Sequence, residues 1–377
     1  MSSQIAPRAL LTQCGMEISA DGRADLKIAE SPRPVIVLPC EVLVVIPTLN
    51  EAESIQACLE SLLSDKPFMR TVRVVVADGG STDGTQEIVR ELCQELPELR
   101  LISNVARLQS AGINLAVSSE AASGFVYLVR CDAHALYPKG YVREVAEAMA
   151  LKPEAASITT VMDATGSNSF QRACAWAMDT PLGSGGSGHR GGTKSGWVDH
   201  GHHAGFRLEW FQRIGGYDSS FSHNEDAEYD HRLGLAGGRV WLDSNIRLQY
   251  QVRPNCRSLM KQYWRYGNGR ARTVLKHRMR PRLRQFVPVL NLLSIVASLA
   301  IAIFWPYALL LPLHYLLTLL TISCVGAHRL RSLAGLHAGT ALAVMHNAWA
   351  LGFLLQCARI GLRGDCVAAR STGRRST

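Results

Sequence analysis

One string constrains the fold of this chain more than any other: Val72-Arg73-Val74-Val75-Val76-Ala77-Asp78-Gly79-Gly80-Ser81-Thr82-Asp83-Gly84-Thr85. A β-branched run ends at a carboxylate, passes through two glycines and gives way to a helical pattern. The run suits a strand of a parallel sheet. Asp78 then stands at its carboxyl end, where open α/β sheets bind ligands. The glycines let backbone approach whatever that carboxylate holds.

The flanking sequence repeats the alternation. Residues 42–47, 72–77, 99–103 and 125–131 read as strands, and residues 51–64, 83–96 and 106–117 as helices. Such alternation implies βαβ units and an α/β domain whose mostly parallel sheet is flanked by helices. None of these strands is followed by G-x-G-x-x-G or by G-x-x-x-x-G-K-[ST]. A dinucleotide site and a P-loop NTPase are therefore disfavoured.

Charge divides the chain. Of 31 acidic residues only Asp365 lies beyond residue 243, while 19 of the 40 basic residues do. An acidic front half joined to a basic, apolar back half is the pattern of a protein at a membrane surface. No RNP-like, zinc-finger or helix-turn-helix signature occurs, so no nucleic-acid partner is expected. The ten cysteines are scattered without a C-x-x-C pair, which suits a reducing cytosol rather than a disulfide framework.

Between residues 253 and 284 cationic residues interleave with Tyr263, Trp264 and Tyr266. A charge-free apolar stretch follows, up to Arg329, broken near its middle by Trp305-Pro306. Two membrane spans of about 20 residues fit it, with Trp305 and Tyr307 at the turn. A third apolar segment at 332–358 carries His337, His346 and Asn347, and the sequence leaves open whether it crosses. The expected domains are a loosely ordered leader at 1–40, a catalytic domain at 41–245 and a basic interfacial or acceptor segment at 246–285. Two to three transmembrane helices at 286–360 and a tail at 361–377 complete the chain.

Four strings carry chemistry. In Pro47-Thr48-Leu49-Asn50-Glu51, proline ends the strand and Asn50 or Thr48 caps the next helix, with Glu51 in its first turn. In the Asp78 loop, Asp78 could accept from a base N–H; a calcium loop is the alternative, but EF-hand spacing is missing. In Arg130-Cys131-Asp132-Ala133-His134, Asp132 and His134 offer one hard and one borderline ligand, suited to Mn²⁺ or Mg²⁺ beside a diphosphate. In Asn224-Glu225-Asp226-Ala227-Glu228, acids open a helix, a placement that ordinary helix-terminal charge would also produce. The histidines at 200, 202 and 203 match no standard metal spacing and read as acceptor-site or structural residues.

Together these strings resemble the family 2 glycosyltransferases of the GT-A fold. PTLNE, ADGGSTDGT, the segment NVARLQSAGIN, the D-x-H and the Glu225-Asp226 pair fall in that family's order across residues 42–245. A closer likeness, to the subgroup of succinoglycan glucosyltransferases, rests on RCDAHALYPKGY, NEDAEYDHRLGLAGG, QYWRYGNGRARTVLKH and MHNAWALGFL. The resemblance implies that Pro47, Asn50, Glu51 and Asp78 line a nucleotide pocket, with Asp78 on uracil and Arg107 and Gly112 near the phosphates. It implies that Asp132 holds a divalent cation, with His134 where the family commonly has a second aspartate. Asp226 would be the general base, with Glu225 beside it. Gln262, Trp264 and Arg265 would be acceptor-side residues, although QYWRY departs from the family's Q-x-x-R-W pattern.

The implied activity is inverting transfer of a hexose, glucose, from a UDP-sugar. The implied acceptor is a polyprenyl-diphosphate-linked glycan in exopolysaccharide assembly. The enzyme would be a multi-pass protein of the inner membrane with its catalytic domain in the cytoplasm. A polyprenyl-phosphate glycosyl transferase and an inactive sugar-nucleotide-binding scaffold are the alternatives.

Overall fold

The computed structural model describes residues 16–18, 24–26, 36–281 and 283–372, with side chains described for 36–281 and 283–361. Most of the expected leader lies outside the described residues. Within it, Met16–Ile18 and Ala24–Leu26 pair antiparallel as a unit of their own.

The rest of the chain is built on an eight-stranded mixed sheet. Its strands are β1 (Val42–Thr48), β2 (Arg73–Asp78), β3 (Leu99–Ser103), β4 (Tyr127–Arg130), β5 (Ser157–Thr165), β6 (Gly196–Val198), β7 (His202–Arg207) and β8 (Val240–Gln251). They lie in the order β3-β2-β1-β4-β7-β5-β8-β6. The first four are parallel, as the alternating pattern requires. β7 then inserts antiparallel between β4 and β5, and β6 closes the far edge antiparallel to β8. The sheet is thus parallel in the half read from sequence and mixed beyond it.

Helices α1 (Ile55–Leu62), α2 (Thr85–Glu95), α3 (Gln109–Ser119) and α4 (Tyr141–Leu151) connect the first strands. Val44, Ile46, Val74 and Val76 alternate with Leu43, Val45 and Val75 between two separate buried clusters, one on each face. Burial on both faces is why these strands read as continuous apolar runs. Their carboxyl ends bring Thr48, Asp78 and Arg130 to one edge.

The second half joins this sheet to a helical layer. α5 (Ser169–Met178) packs Ala173, Cys174, Ala177 and Met178 against Ala338, Ala341, Leu342 and Met345 of the last helix. α6 (Glu225–Leu235) lies between β7 and β8 in the chain, and the basic segment folds as α7 (Cys256–Lys276). Then come α8 (Leu283–Ile301), α9 (Leu310–Leu330) and α10 (His337–Thr372), whose helical path continues into the expected tail. Among the described residues three segments, Leu283–Ile301, Pro306–Leu330 and Leu333–Gly361, are long and apolar enough to cross a membrane. The break between the first two falls at Trp305 and Pro306, as the sequence suggests.

Two glycines let α7 and α10 approach closely. A Cβ on Gly267 would collide with the carbonyl of Trp349, and one on Gly352 with the carbonyl of Trp264. Asn268 donates across the same contact to Gln356 Oε1 at 3.0 Å. The basic helix and the last apolar helix therefore form one packed pair.

Candidate active site

The first two loops interlock. Asn50 N–H donates to Ser81 Oγ at 2.8 Å, and Asn50 Oδ1 accepts from Thr82 N–H at 3.0 Å. Glu51 N–H donates to Thr85 Oγ1 at 2.8 Å and Ala52 N–H to Asp83 Oδ2 at 3.0 Å. Asn50 holds a left-handed φ of 56° to make these bonds, which asparagine tolerates better than most residues. The expected cap is not made: α1 begins later, at Ile55, with no side-chain cap. The amide of Asn50 and the hydroxyl of Thr85 are spent on joining the loops instead.

Asp78 is buried, and its Oδ1 accepts from the N–H groups of Gly80 and Ser81, both at 2.9 Å. Gly79 packs against Thr48 and Arg107. Arg107 has a φ of 58°, a conformation costly for a long side chain and one that clusters at functional loops. Gly112 is a packing position, since a Cβ there would meet Asn104 and Ala77. Pro47 lies in β1, half-buried.

A cavity of about 870 Å³ opens beside this edge. Its walls include Asp132, His134, Glu225, Asp226, Gln262 and Arg265, so the residues marked as metal, base and acceptor positions face one space. Trp264 does not share it; with Ser222, His223 and Arg272 it lines a smaller cavity of about 320 Å³ that Arg265 also borders. Gln262 is buried and its amide donates to the hydroxyls of Tyr250 at 2.6 Å and Tyr266 at 3.0 Å.

Asp132 accepts from Gln109 Nε2 at 3.2 Å and lies 3.6 Å from Arg130 Nη2. Burial opposes its charge, but Arg130 and then His202 hold its pKa below the usual aspartate range. His134 turns to Glu51, with Nδ1 3.2 Å from Oε1, and that bond raises the imidazole's pKa. The imidazole nearest in chemistry to Asp132 is instead His202, whose Nε2 lies 3.7 Å from Oδ2. Burial lowers the His202 pKa to about 4, so at neutral pH it offers a lone pair beside an ionised carboxylate. That donor pair suits a divalent cation. Among the described residues no three such side chains converge to hold a metal by themselves.

Glu225 and Asp226 open α6, where the helix dipole favours negative charge. Asn224 before them takes a φ of 65°. Their environments pull the two carboxyls apart. Burial and the neighbouring Asp226 raise the Glu225 pKa. Asp226 is half-buried and desolvation opposes its charge too, but His200, His203 and Arg130 outweigh that and hold its pKa low. Adjacent carboxyls pushed in opposite directions are a frequent arrangement at acid–base sites.

Sequence reasoning left the histidines and Asp230 without defined parts. Asp230, one helical turn beyond Asp226, bonds His200 Nδ1 at 2.8 Å and His203 Nε2 at 2.7 Å. His203 completes its bonding with the Tyr217 hydroxyl at 2.7 Å. The i, i+4 spacing within NEDAEYD was the available signal.

The chain matches the model of glycosyl transferase family 2 over residues 43–215. It is 43% identical over 325 residues to succinoglycan biosynthesis protein ExoA of Rhizobium meliloti, covering 82% of this chain and 93% of that protein. The chain belongs to glycosyl transferase family 2. The expectation drawn from the motifs is borne out, and the protein is a glycosyltransferase. A second relative of this glycosyltransferase is a dolichyl N-acetyl-α-D-glucosaminyl phosphate 3-β-D-2,3-diacetamido-2,3-dideoxy-β-D-glucuronosyltransferase of Methanococcus voltae. It is 23% identical over 242 residues, covering 62% of this chain and 74% of its own. Among solved structures, a mannosyltransferase of Pyrobaculum calidifontis in complex with GDP-mannose and Mn²⁺ superposes with a TM-score of 0.53. That match covers 87% of this chain and 91% of the other at 21% identity, and it establishes the shared GT-A fold.

Proposed function

We propose that this glycosyltransferase is a membrane-anchored inverting enzyme that moves glucose from UDP-glucose to a polyprenyl-diphosphate-linked glycan in exopolysaccharide assembly. Its catalytic domain then faces the cytoplasm at the inner membrane. The observation that carries the reading is the composition of the large cavity. Asp132 and Asp226 share it with Val287 and Pro288 of α8 and with Met345, His346 and Trp349 of α10. A donor held at the sheet edge and an acceptor rising from the membrane would meet there. Two relatives support the acceptor class: the ExoA relative is named for biosynthesis of a polysaccharide. The archaeal relative is named for action on a dolichyl-phosphate-linked sugar.

In this reading Asp226 takes the proton of the acceptor hydroxyl as its oxygen attacks the anomeric carbon in line with the departing diphosphate. Its depressed pKa keeps it ionised and ready at neutral pH. Glu225 stays near the acceptor, and Asp230 with His200 fixes the face of α6 behind the base. Asp78, Asn50 and Glu51 form the nucleotide wall, with Pro47, Arg107 and Gly112 supporting it. Gln262 and Arg265 border the acceptor side. A divalent cation, Mn²⁺ or Mg²⁺, would be held by Asp132 and His202 with His134 on the same loop, and it would neutralise charge on the leaving diphosphate.

The test is a donor screen on membranes containing the full chain, with lipid-linked glycans as acceptors and released nucleoside diphosphate as the signal. UDP release with UDP-glucose, dependent on the acceptor, is the expected result. Transfer to polyprenyl phosphate itself would replace the acceptor, and silence with every sugar nucleotide would overturn the reading.

A further inference from the structure

Arg190 faces the same cavity and has no part in the chemistry above. It stands in a glycine-rich loop at residues 183–192 that is pinned on several sides. Met162 N–H donates to His189 O at 2.9 Å and Gly191 N–H to Met162 O at 3.3 Å, which fixes the loop along β5. From the apolar helices, Arg284 Nη1 donates to Gly185 O at 2.6 Å, and His346 Nε2 lies 3.0 Å from Leu182 O.

The guanidinium of Arg190 lies 4.6 Å from the centre of the Tyr250 ring. Its Nη1 is buried and has no hydrogen-bond partner, and among the described residues the side chain enters no ion pair. Asp179 is close enough to be felt electrostatically but does not pair with it. Burial and then Asp163 raise the Asp179 pKa to about 6, so that carboxyl is mostly ionised at neutral pH but acts on Arg190 from beyond ion-pair distance. Buried guanidinium groups are ordinarily paired, because an uncompensated charge loses its hydration without return. The cavity offers Arg190 no acid of its own. Its carboxylates are Asp132, Glu225 and Asp226; the first two flank Arg130, and Asp226 also acts on it. Arg253, Lys261 and Arg265 line the same space and add positive charge.

We propose that Arg190, stacked on Tyr250, is the centre of an anion subsite in this cavity that binds a diphosphate group. The planar fork of guanidinium donors matches diphosphate oxygens, and the aromatic face fixes its plane. This deepens the glycosyl-transfer reading and rests on it. Two diphosphates would enter such a cavity, that of the nucleotide donor and that of a lipid carrier.

The test is calorimetric titration of the full-length protein in detergent with inorganic pyrophosphate, with EDTA present to remove any cation. Arg190→Met should weaken binding at least tenfold, and Arg190→Lys less, since it keeps the charge and loses the fork. Gly234→Ala, outside the cavity and with nothing within 4 Å of the added methyl, should leave it unchanged. Arg190→Met should also melt no lower than the parent, because it removes an unpaired buried charge, whereas a structural arginine would lower the melting temperature. The same titrations with UDP and with farnesyl diphosphate identify the source. Weakening confined to farnesyl diphosphate assigns the subsite to the carrier, and weakening confined to UDP assigns it to the donor. Equal affinity of parent and Arg190→Met for all three probes would overturn the proposal. The titrations read binding alone, so a failure of glycosyl transfer is recorded separately.

Discussion

The side-chain amide of Asn224 donates to Thr273 Oγ1 at 2.9 Å, tying the loop that carries Glu225 and Asp226 to the basic helix α7. Gly269 lets the two approach, since a Cβ there would sit 2.7 Å from both Asn224 Cβ and the His223 carbonyl. Asn224 is thereby held in its left-handed conformation, and Asp226 starts α6 facing the cavity. Thr273→Val keeps the volume and removes the acceptor, at a cost of about 1 kcal/mol in stability. Turnover should fall several-fold while the KM for the sugar nucleotide stays unchanged, and Thr273→Ser should restore it. Steady-state kinetics on the three proteins checks this.

The reciprocal glycines Gly267 and Gly352 predict a second effect. Either one changed to alanine puts a methyl into a facing backbone carbonyl, Trp349 or Trp264. Overpacking of this kind costs about 1–3 kcal/mol. Thermal unfolding in detergent should show the loss, and Gly234→Ala, whose added methyl meets nothing within 4 Å, should show none.

The parallel half of the sheet and its loops were legible in the sequence because β1, β2 and β4 are buried on both faces and each ends in a polar motif. Residues between 132 and 224 were not. β5 buries Ser157, Thr159 and Thr160 among its apolar residues, which blurs any strand pattern. β7 is short and pairs antiparallel with a strand some 75 residues earlier in the chain, Tyr127 opposite Arg207. No local signal encodes such a pairing. The D-x-H string was visible, but which imidazole sits by Asp132 depends on the bond between His134 and Glu51. Arg190 escaped notice because a loop of glycines and serines has no periodicity to read.

Glu228 gives a pH-dependent prediction. Its buried carboxylate takes bonds from Arg232, from Lys276 at 2.6 Å and from His277 at 2.9 Å. Burial works against the charge, but the Arg232 bonds and then Lys276 hold the pKa below the usual glutamate value. A lowered folded-state pKa contributes stability in full above the unfolded value of about 4.3 and loses it as pH falls through the folded value. Glu228→Gln should therefore cost about 1.5–3 kcal/mol at neutral pH, because the partly exposed Arg232 and Lys276 lose a buried ionised acceptor. The gap between parent and variant should close under strongly acidic conditions, as melting curves across pH would record.

The two imidazoles near Asp132 are separable by titration. His202 lies 3.7 Å from the Asp132 carboxylate, whereas His134 is held by Glu51. Loss of a metal ligand or its supporting partner commonly weakens binding 10–100-fold. His202→Ala should raise the Mn²⁺ concentration needed for half-maximal UDP binding by roughly tenfold, and His134→Ala should raise it less. The reverse order would exchange their parts.

In the proposed mechanism Asp226 is the base and the strand-end loops hold the donor. Asp226→Asn in the full-length enzyme tests it most directly, with UDP binding and glycosyl transfer measured on the same preparation. Removing a general base costs about 10²–10⁴-fold. Transfer should fall by that much while UDP affinity stays within twofold of the parent. Transfer at the parental rate would remove Asp226 from the reaction and contradict the account.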